Sequence, residues 1–285
     1  MKIRILESGF FKLDGGAMFG VVPKRLWSRM HAPDDNNMCT WSMRCLLIEQ
    51  GDRKIIIDTG IGNKQGEKFQ SHFEPHGTVN FTDSLAPYGL NVGEITDVFL
   101  THLHFDHVGA AVSYNDKGQL VPTFPNATYW SNEVHYRWAM NPNPREKASF
   151  LKENFVPIQE HGQLKFIDWS KDDINWFPGF DIRFLDGHTK AMMMPILTIG
   201  NKKIYYGVDL VPSSFHVSMP FVMSYDVNPL ITLEEKAKLY DDILNDEALL
   251  VFEHDPKIPS AKLTKNEKGR VVIDEPTDVI SFLEE

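Results

Sequence analysis

The stretch "THLHFDHVGA", residues 101–110, places His102, His104, Asp106 and His107 within six positions. Three imidazoles and a carboxylate at that density are metal ligands in waiting. His102 and His104 lie two residues apart, so an extended segment can aim both the same way. Asp106 and His107 follow a turn and point elsewhere. Two pairs with different directions call for two ions, and each pair needs further donors from distant sequence.

Three other apolar runs end in such donors. "IRFLDG" is followed by His188, "IYYGV" by Asp209 and "LLVFE" by His254. If these strands run alongside one another, their C-terminal ends meet at one rim. His102, His104 and His188 would then surround one ion. Asp106, His107 and His254 would surround the other, with the two oxygens of Asp209 available to bridge. Imidazole and carboxylate without thiolate suit zinc, with iron, manganese or cobalt as alternatives. Five-coordinate ions sharing a water leave room for substrate, which is a catalytic arrangement.

The elements that must position these residues are short apolar runs cut by Gly, Asn, Asp and Pro. "RCLLIEQ" and "KIIIDTG" flank Gly51-Asp52, and "ILTIG" and "KKIYYGVDL" flank Gly200-Asn201, both as hairpins. "TDVFLTH", "ATYW", "FDIRFLDG" and "ALLVFEHD" are further strands. A helix is expected over 232–247, opened by a Thr232/Glu235 capping box, with Leu233, Ala237, Tyr240 and Leu244 on one face. Shorter helices are expected over 131–139, 145–152 and 82–88, the last with Thr82 as N-cap. Strands and helices alternate but hairpins intervene, so the sheets should be mixed. That points to an α/β (α+β) chain whose sheets pack face to face with helices outside.

The 285 residues are 42% hydrophobic, ample for a large core, and no linker-like tract divides them. A single domain spanning 1–285 is expected. The net charge of −10 disfavours a nucleic-acid partner, which needs clustered Lys and Arg. No window approaches a transmembrane span, and the start "MKIRILESGFFKLDGG" lacks a signal-peptide core. Cys39 and Cys45 match no zinc or redox spacing and read as reduced thiols of a cytoplasmic protein.

"THLHFDH", His188, Asp209 and His254 together resemble the HxHxDH signature of the metallo-β-lactamase-fold hydrolases. "LDGGAMFGVVPKRLW", "DLVPSSFH", "FVMSYDVNP" and the 81 positions from His107 to His188 resemble the branch of quorum-quenching lactonases and organophosphate hydrolases. The resemblance implies a four-layer αββα sandwich of two mixed sheets with a dinuclear site at one edge. It implies a hydroxide held between two divalent ions, attacking an ester-type bond in a small-molecule lactone or carboxylic ester. Asp106 and Asp209 would be ligands with catalytic roles, and Asp58 would brace the metal loop without ligating. Homoserine lactonases carry a carbonyl-polarising Tyr three residues after the bridging Asp. Here that position is Pro212, with His216 as a nearby substitute or as a backbone-bonded pocket residue. The resemblance also points to a homodimer. Phosphotriester or phosphodiester hydrolysis and a mononuclear-iron oxidoreductase of the same fold are the alternatives. Diiron members carry Glu where His104 stands. A non-catalytic descendant would be expected to have lost ligands.

Four aromatics, Trp130, Tyr136, Trp138 and Phe150, could wall a pocket or be ordinary core. Met192, Met193 and Met194 read as buried filler. The acidic pairs Glu234–Glu235 and Asp241–Asp242 read as a solvated helix face.

Overall fold

The computed structural model describes residues 1–78 and 80–285. The chain forms two compact units. One comprises Met1–Phe11 and Ser42–Trp169, the other Lys12–Trp41 and Ser170–Glu285.

Eight strands precede residue 170: β1 (Lys2–Asp14), β2 (Met38–Gln50), β3 (Arg53–Ile57), β4 (Asp97–Phe99), β5 (Val112–Tyr114), β6 (Leu120–Pro122), β7 (Thr128–Ser131) and β8 (Leu164–Phe166). β5 and β6 form a small hairpin, and the others make a six-stranded sheet in the order β1-β2-β3-β4-β7-β8. β2 and β3 pair antiparallel from Gln50↔Arg53, the first expected hairpin. Gly51 closes its turn at φ 58°, a left-handed conformation that glycine adopts without strain. β3, β4, β7 and β8 then run parallel. Leu47, Ile56, Val98 and Tyr129 enter the first unit's core with Phe124, Phe155 and Ile158. Alternating residues Leu46, Ile48, Ile55, Ile57 and Phe99 are fully buried as well. Burial on both faces explains why these strands read as continuous apolar runs.

The second unit holds β9 (Ile174–Phe177), β10 (Phe180–Leu185), β11 (Met192–Ile199), β12 (Lys202–Tyr206), β13 (Leu249–Val251), β14 (Ser260–Lys265) and β15 (Val271–Pro276). They form one sheet, β15-β14-β13-β12-β11-β10-β9. β11 and β12 make the second expected hairpin, from Ile199↔Lys202. β12 and β13 are parallel, while β10 and β12 are each antiparallel to β11. β10, β12 and β13 therefore share a direction, and their C-terminal ends lie on one rim. Both sheets are mixed and accompanied by helices, as the alternation of elements required.

Local expectations needed correction where side chains found long-range partners. The long helix runs Pro229–Asp246, with Asn228 before it. Thr232 and Glu235 do not form a capping box. The Thr232 hydroxyl donates to Asp226, and Glu235 accepts from the amides of Asp186 and Gly187. The buried stripe is Thr232, Lys236, Leu239, Tyr240 and Ile243, so only Tyr240 of the expected face is buried. Lys236 sits there fully buried because its ammonium donates to the carbonyls of His216, Ser218, Met219 and Phe221, at 2.8, 3.1, 3.4 and 3.0 Å. The helix expected over 131–139 is Glu133–Met140, capped by Asn132. Residues 145–149 are turns held by the Asn143 side chain, followed by a 3-10 turn at Lys152–Asn154. The helix near 82–88 begins at Phe81, and its N-cap is Asn80 in place of Thr82. Residues 86–88 form a 3-10 turn. No helix among the described residues is long and apolar enough to cross a membrane.

Candidate metal centre

In the first unit, β4 delivers the chain to Thr101, and a short helix, Phe105–Val108, follows His104. His102, His104, Asp106 and His107 are all buried. Their orientation follows from where the protons go. Asp58 is fully buried and accepts from the Thr101 amide at 2.8 Å, the Thr101 hydroxyl at 2.6 Å and His107 Nδ1 at 3.0 Å. Thr101 has one hydroxyl proton, and the carboxylate takes it. Its oxygen must therefore accept from His102 Nδ1, 3.1 Å away. His102 and His107 are thereby left with Nε2 lone pairs to offer a cation. His102 Nε2 lies 3.1 Å from His104 Nδ1, so the two rings present these nitrogens to a common point. Asp58 holds this arrangement from a left-handed backbone, φ 58°, a conformation that costs a non-glycine residue and clusters at functional sites.

Residues 133–150 support the same loop. His135 Nε2 accepts from the Leu103 amide at 2.8 Å, and the Phe150 ring packs 4.7 Å from that of His104. Trp138 donates to Glu146, whose other oxygen lies 3.6 Å from His104 Nε2. Of the four aromatics weighed as pocket walls, Phe150 packs against a predicted ligand. Trp130 donates to Asp97, and Tyr136 packs on Phe155 and Phe166. An aromatic group absent from the sequence reading joins the loop elsewhere. Phe69 and Phe73 pack on Phe105 at 5.2 and 4.5 Å.

In the second unit, His188, Asp209 and His254 stand beyond the ends of β10, β12 and β13 and are buried. The Asp209 carboxylate lies between the two histidines. One oxygen is 2.9 Å from His188 Nε2, the other 3.0 Å from His254 Nε2. His188 Nδ1 donates to Asp226 at 2.8 Å. Burial opposes charge on the His188 ring, but Asp209 and Asp226 on either side hold its proton, up to about 10. An entering cation must displace that proton.

The Pro212 carbonyl accepts from the His254 amide at 2.8 Å. His216 is fully buried with both ring nitrogens engaged, Nδ1 with the Ser213 hydroxyl at 2.7 Å and Nε2 with the Met18 carbonyl at 2.9 Å. It stacks on Phe19 at 5.1 Å, and burial lowers it to about 4. This is the backbone-bonded alternative, and it leaves no ring nitrogen for a substrate. Met192–Met194 are buried in β11. Glu234 and Asp241 are exposed, but Glu235 caps the β10 end as described and Asp242 pairs with Arg183 at 2.7 Å. Sequence reasoning missed Asp226, His135 and Glu146. Their partners lie 38, 32 and 42 positions away, so no local spacing marks them.

The donors fit a borderline divalent cation. They are imidazole and carboxylate, they are buried, and their lone pairs are oriented by fixed partners. Cys39 and Cys45 are buried free thiols. His and Asp groups that could hold metal ions are thus present among the described residues.

Mixed sheets with accompanying helices and buried His/Asp donors at strand ends define a fold of metal-dependent hydrolases. The model of the metallo-beta-lactamase superfamily matches residues 44–254, and the chain belongs to that superfamily. Among solved structures, a probable metal-dependent hydrolase from Staphylococcus aureus is 26% identical, with 97% of this chain and 98% of that one covered at a TM-score of 0.85. AidC, a dizinc quorum-quenching lactonase solved with the product N-hexanoyl-L-homoserine, is 19% identical, with coverage of 97% and 95% and a TM-score of 0.77. The hydrolase AbOPH is 21% identical, with coverage of 97% and 95% and a TM-score of 0.76. No curated protein matches the chain at the level of sequence.

Proposed function

We propose that the two donor sets serve one dinuclear centre that hydrolyses an ester-type bond, with a lactone or carboxylic ester as substrate. His102, His104 and His188 would hold one ion, Asp106, His107 and His254 the other, and Asp209 both. The observation that carries this reading is the Asp209 carboxylate, which presents one oxygen toward each of two histidines. The dizinc lactonase and the S. aureus hydrolase, similar over nearly the whole chain, support it. Bound divalent ions supply Lewis acidity and lower the pKa of water from 15.7 to about 7.

The chain's own residues do the rest. A carboxylate oxygen of Asp209 accepts the proton of the attacking water and returns it to the departing alkoxide. Water and ester become acid and alcohol, or a ring-opened hydroxy acid. Phe69, Phe73 and Phe105 offer an apolar surface beside the loop for the organic part of the substrate. Position 212 supplies no hydroxyl donor to the substrate carbonyl, since it is proline, and His216 contributes by anchoring its own loop.

Metal analysis with a matched panel of lactones, aryl esters, phosphotriesters and phosphodiesters tests the reading. Two ions per chain, activity on lactones or esters, loss with chelator and recovery with zinc, manganese or cobalt are expected. A metal-loaded protein that turns over none of the lactones or esters refutes the assignment, and preference for phosphotriesters transfers it to that class.

A further inference from the structure

The same three-residue relay occurs in each unit. In the first, the Thr101 hydroxyl donates to Asp58 at 2.6 Å, and His107 Nδ1 donates to the same carboxylate at 3.0 Å. In the second, the Thr232 hydroxyl donates to Asp226 at 2.9 Å, and His188 Nδ1 donates to it at 2.8 Å. Asp58 and Asp226 are 0% and 1% exposed, so neither carboxylate draws much stabilisation from solvent. Buried carboxylates persist when hydrogen bonds satisfy them, and each has a hydroxyl and an imidazole to do so.

We propose that Asp226 and Thr232 are a positioning pair for His188, and that each ion of the dinuclear centre rests on one carboxylate-backed histidine. Asp58 backs His107 for one ion, and Asp226 backs His188 for the other. The inference rests on the dinuclear reading above. It adds an assignment of each carboxylate to its own ion.

The case for Asp226 is geometric. Accepting from Nδ1 fixes the proton there and leaves Nε2, which faces Asp209, as the ligating atom. The imidazole also gains basicity from the anion behind it. The surrounding chain is shaped to hold this pose. The amides of Val227 and Asn228 donate to the carbonyls of His188 and Gly187, at 3.1 and 2.9 Å. Glu235 receives the amides of Asp186 and Gly187, at 2.6 and 3.1 Å. A Cβ on Gly187 would come within 2.6 Å of the Thr232 amide nitrogen and 2.5 Å of its hydroxyl, so the strand end lies directly against the helix backbone. The start of the helix Pro229–Asp246 therefore grips the ligand by main chain and side chain together.

A structural role for Asp226 predicts lower stability and nothing more. A positioning role predicts a change at His188 and at one ion. The experiment uses the full-length protein and three isosteric variants, Asp226→Asn, Thr232→Val and Asp58→Asn. Zinc affinity is measured for each site by chelator competition, cobalt-loaded spectra distinguish the two ions, and imidazole nitrogen NMR reports the His188 tautomer. For Asp226→Asn, roughly 10- to 100-fold weaker binding of one ion is expected. The other ion should be unaffected, and His188 should lose its single tautomer. Thr232→Val should weaken the same ion by less. Asp58→Asn should weaken the other one.

Normal binding of both ions by a folded Asp226→Asn protein overturns the inference while leaving the dinuclear reading intact. So does weakening of the same ion by Asp58→Asn and Asp226→Asn. If Asp226→Asn does not fold, Thr232→Val decides, and unchanged affinity and tautomer in that variant overturn the pair. A wild-type protein that binds no ion overturns the reading and the inference together.

Discussion

Replacing Lys236 by methionine keeps most of the side-chain volume and removes the ammonium from a cradle of four carbonyls. Two effects oppose. The ammonium's three N–H protons are shared among the four carbonyls, so the variant loses three bonds to a charged donor, at about 2.5 kcal/mol apiece, or about 8 kcal/mol together. Against this, the variant no longer buries a charge. Burial pushes the Lys236 ammonium from 10.5 down to about 7, with Asp226 pulling the other way. At about 1.4 kcal/mol per pKa unit, relief of that burial returns about 5 kcal/mol. The lost hydrogen bonds win, and the variant should be about 3 kcal/mol less stable near pH 7. Urea unfolding followed by tryptophan fluorescence measures this, and a slope of about 3 kcal/mol/M makes it a midpoint shift of about 1 M. The pH dependence gives a second readout. The folded pKa lies below the unfolded one, so between about 7 and 10.5 the unfolded chain holds a proton that the folded chain has released. Wild-type stability should therefore rise with pH across that window, and the gap to the variant should widen. An unchanged midpoint, or a gap that narrows with pH, refutes the reasoning.

Gly109→Ala should cost about 3 kcal/mol or more, because a Cβ there would lie 2.1 Å from the Ile61 carbonyl oxygen. Chelator competition should show weaker metal binding as well, since Gly109 directly follows the ligand loop. Glu235→Gln should flatten an acid-side slope. Burial raises the Glu235 carboxyl to about 7 against the pull of two amides. Between 4.5 and about 7 the folded chain keeps a proton that the unfolded chain gives up, so wild-type stability should fall as pH rises through that range. Denaturant midpoints in a pH series check it. Cys39, pushed up to about 11 by burial, and Cys45, equally enclosed, should resist thiol reagents at pH 8 until urea unfolds the chain. Mass spectrometry of the labelled protein reads the outcome.

The hairpins at Gly51 and Gly200 and the strand ends beside His188, Asp209 and His254 were legible because their signals are local. Alternating apolar residues, a turn dipeptide and a terminal donor all lie within a few positions. The helix near 229–246 was found, but its buried face was misjudged, since a lysine at a core position contradicts any apolar template. Only the carbonyls of residues 216–221, folded back from before the helix, make Lys236 a core residue. Thr232 and Glu235 had capping-box spacing yet serve Asp226 and the β10 end. Residues 145–152 carry helix formers, but Asn143 and Glu146 bind them into turns against Trp138. His216 looked available because sequence does not reveal that Met18, 198 positions earlier, takes its ring.

That last contact bears on how the polypeptide tolerates being shortened. The second unit draws Lys12–Trp41 from near the start of the chain. A gene fragment beginning at Ser170 would encode its whole seven-stranded sheet and still omit Phe19, Trp41 and the Met18 carbonyl that enclose His216. Such a fragment would expose an aromatic surface and aggregate. Splicing the early excursion onto it should restore a dispersible product.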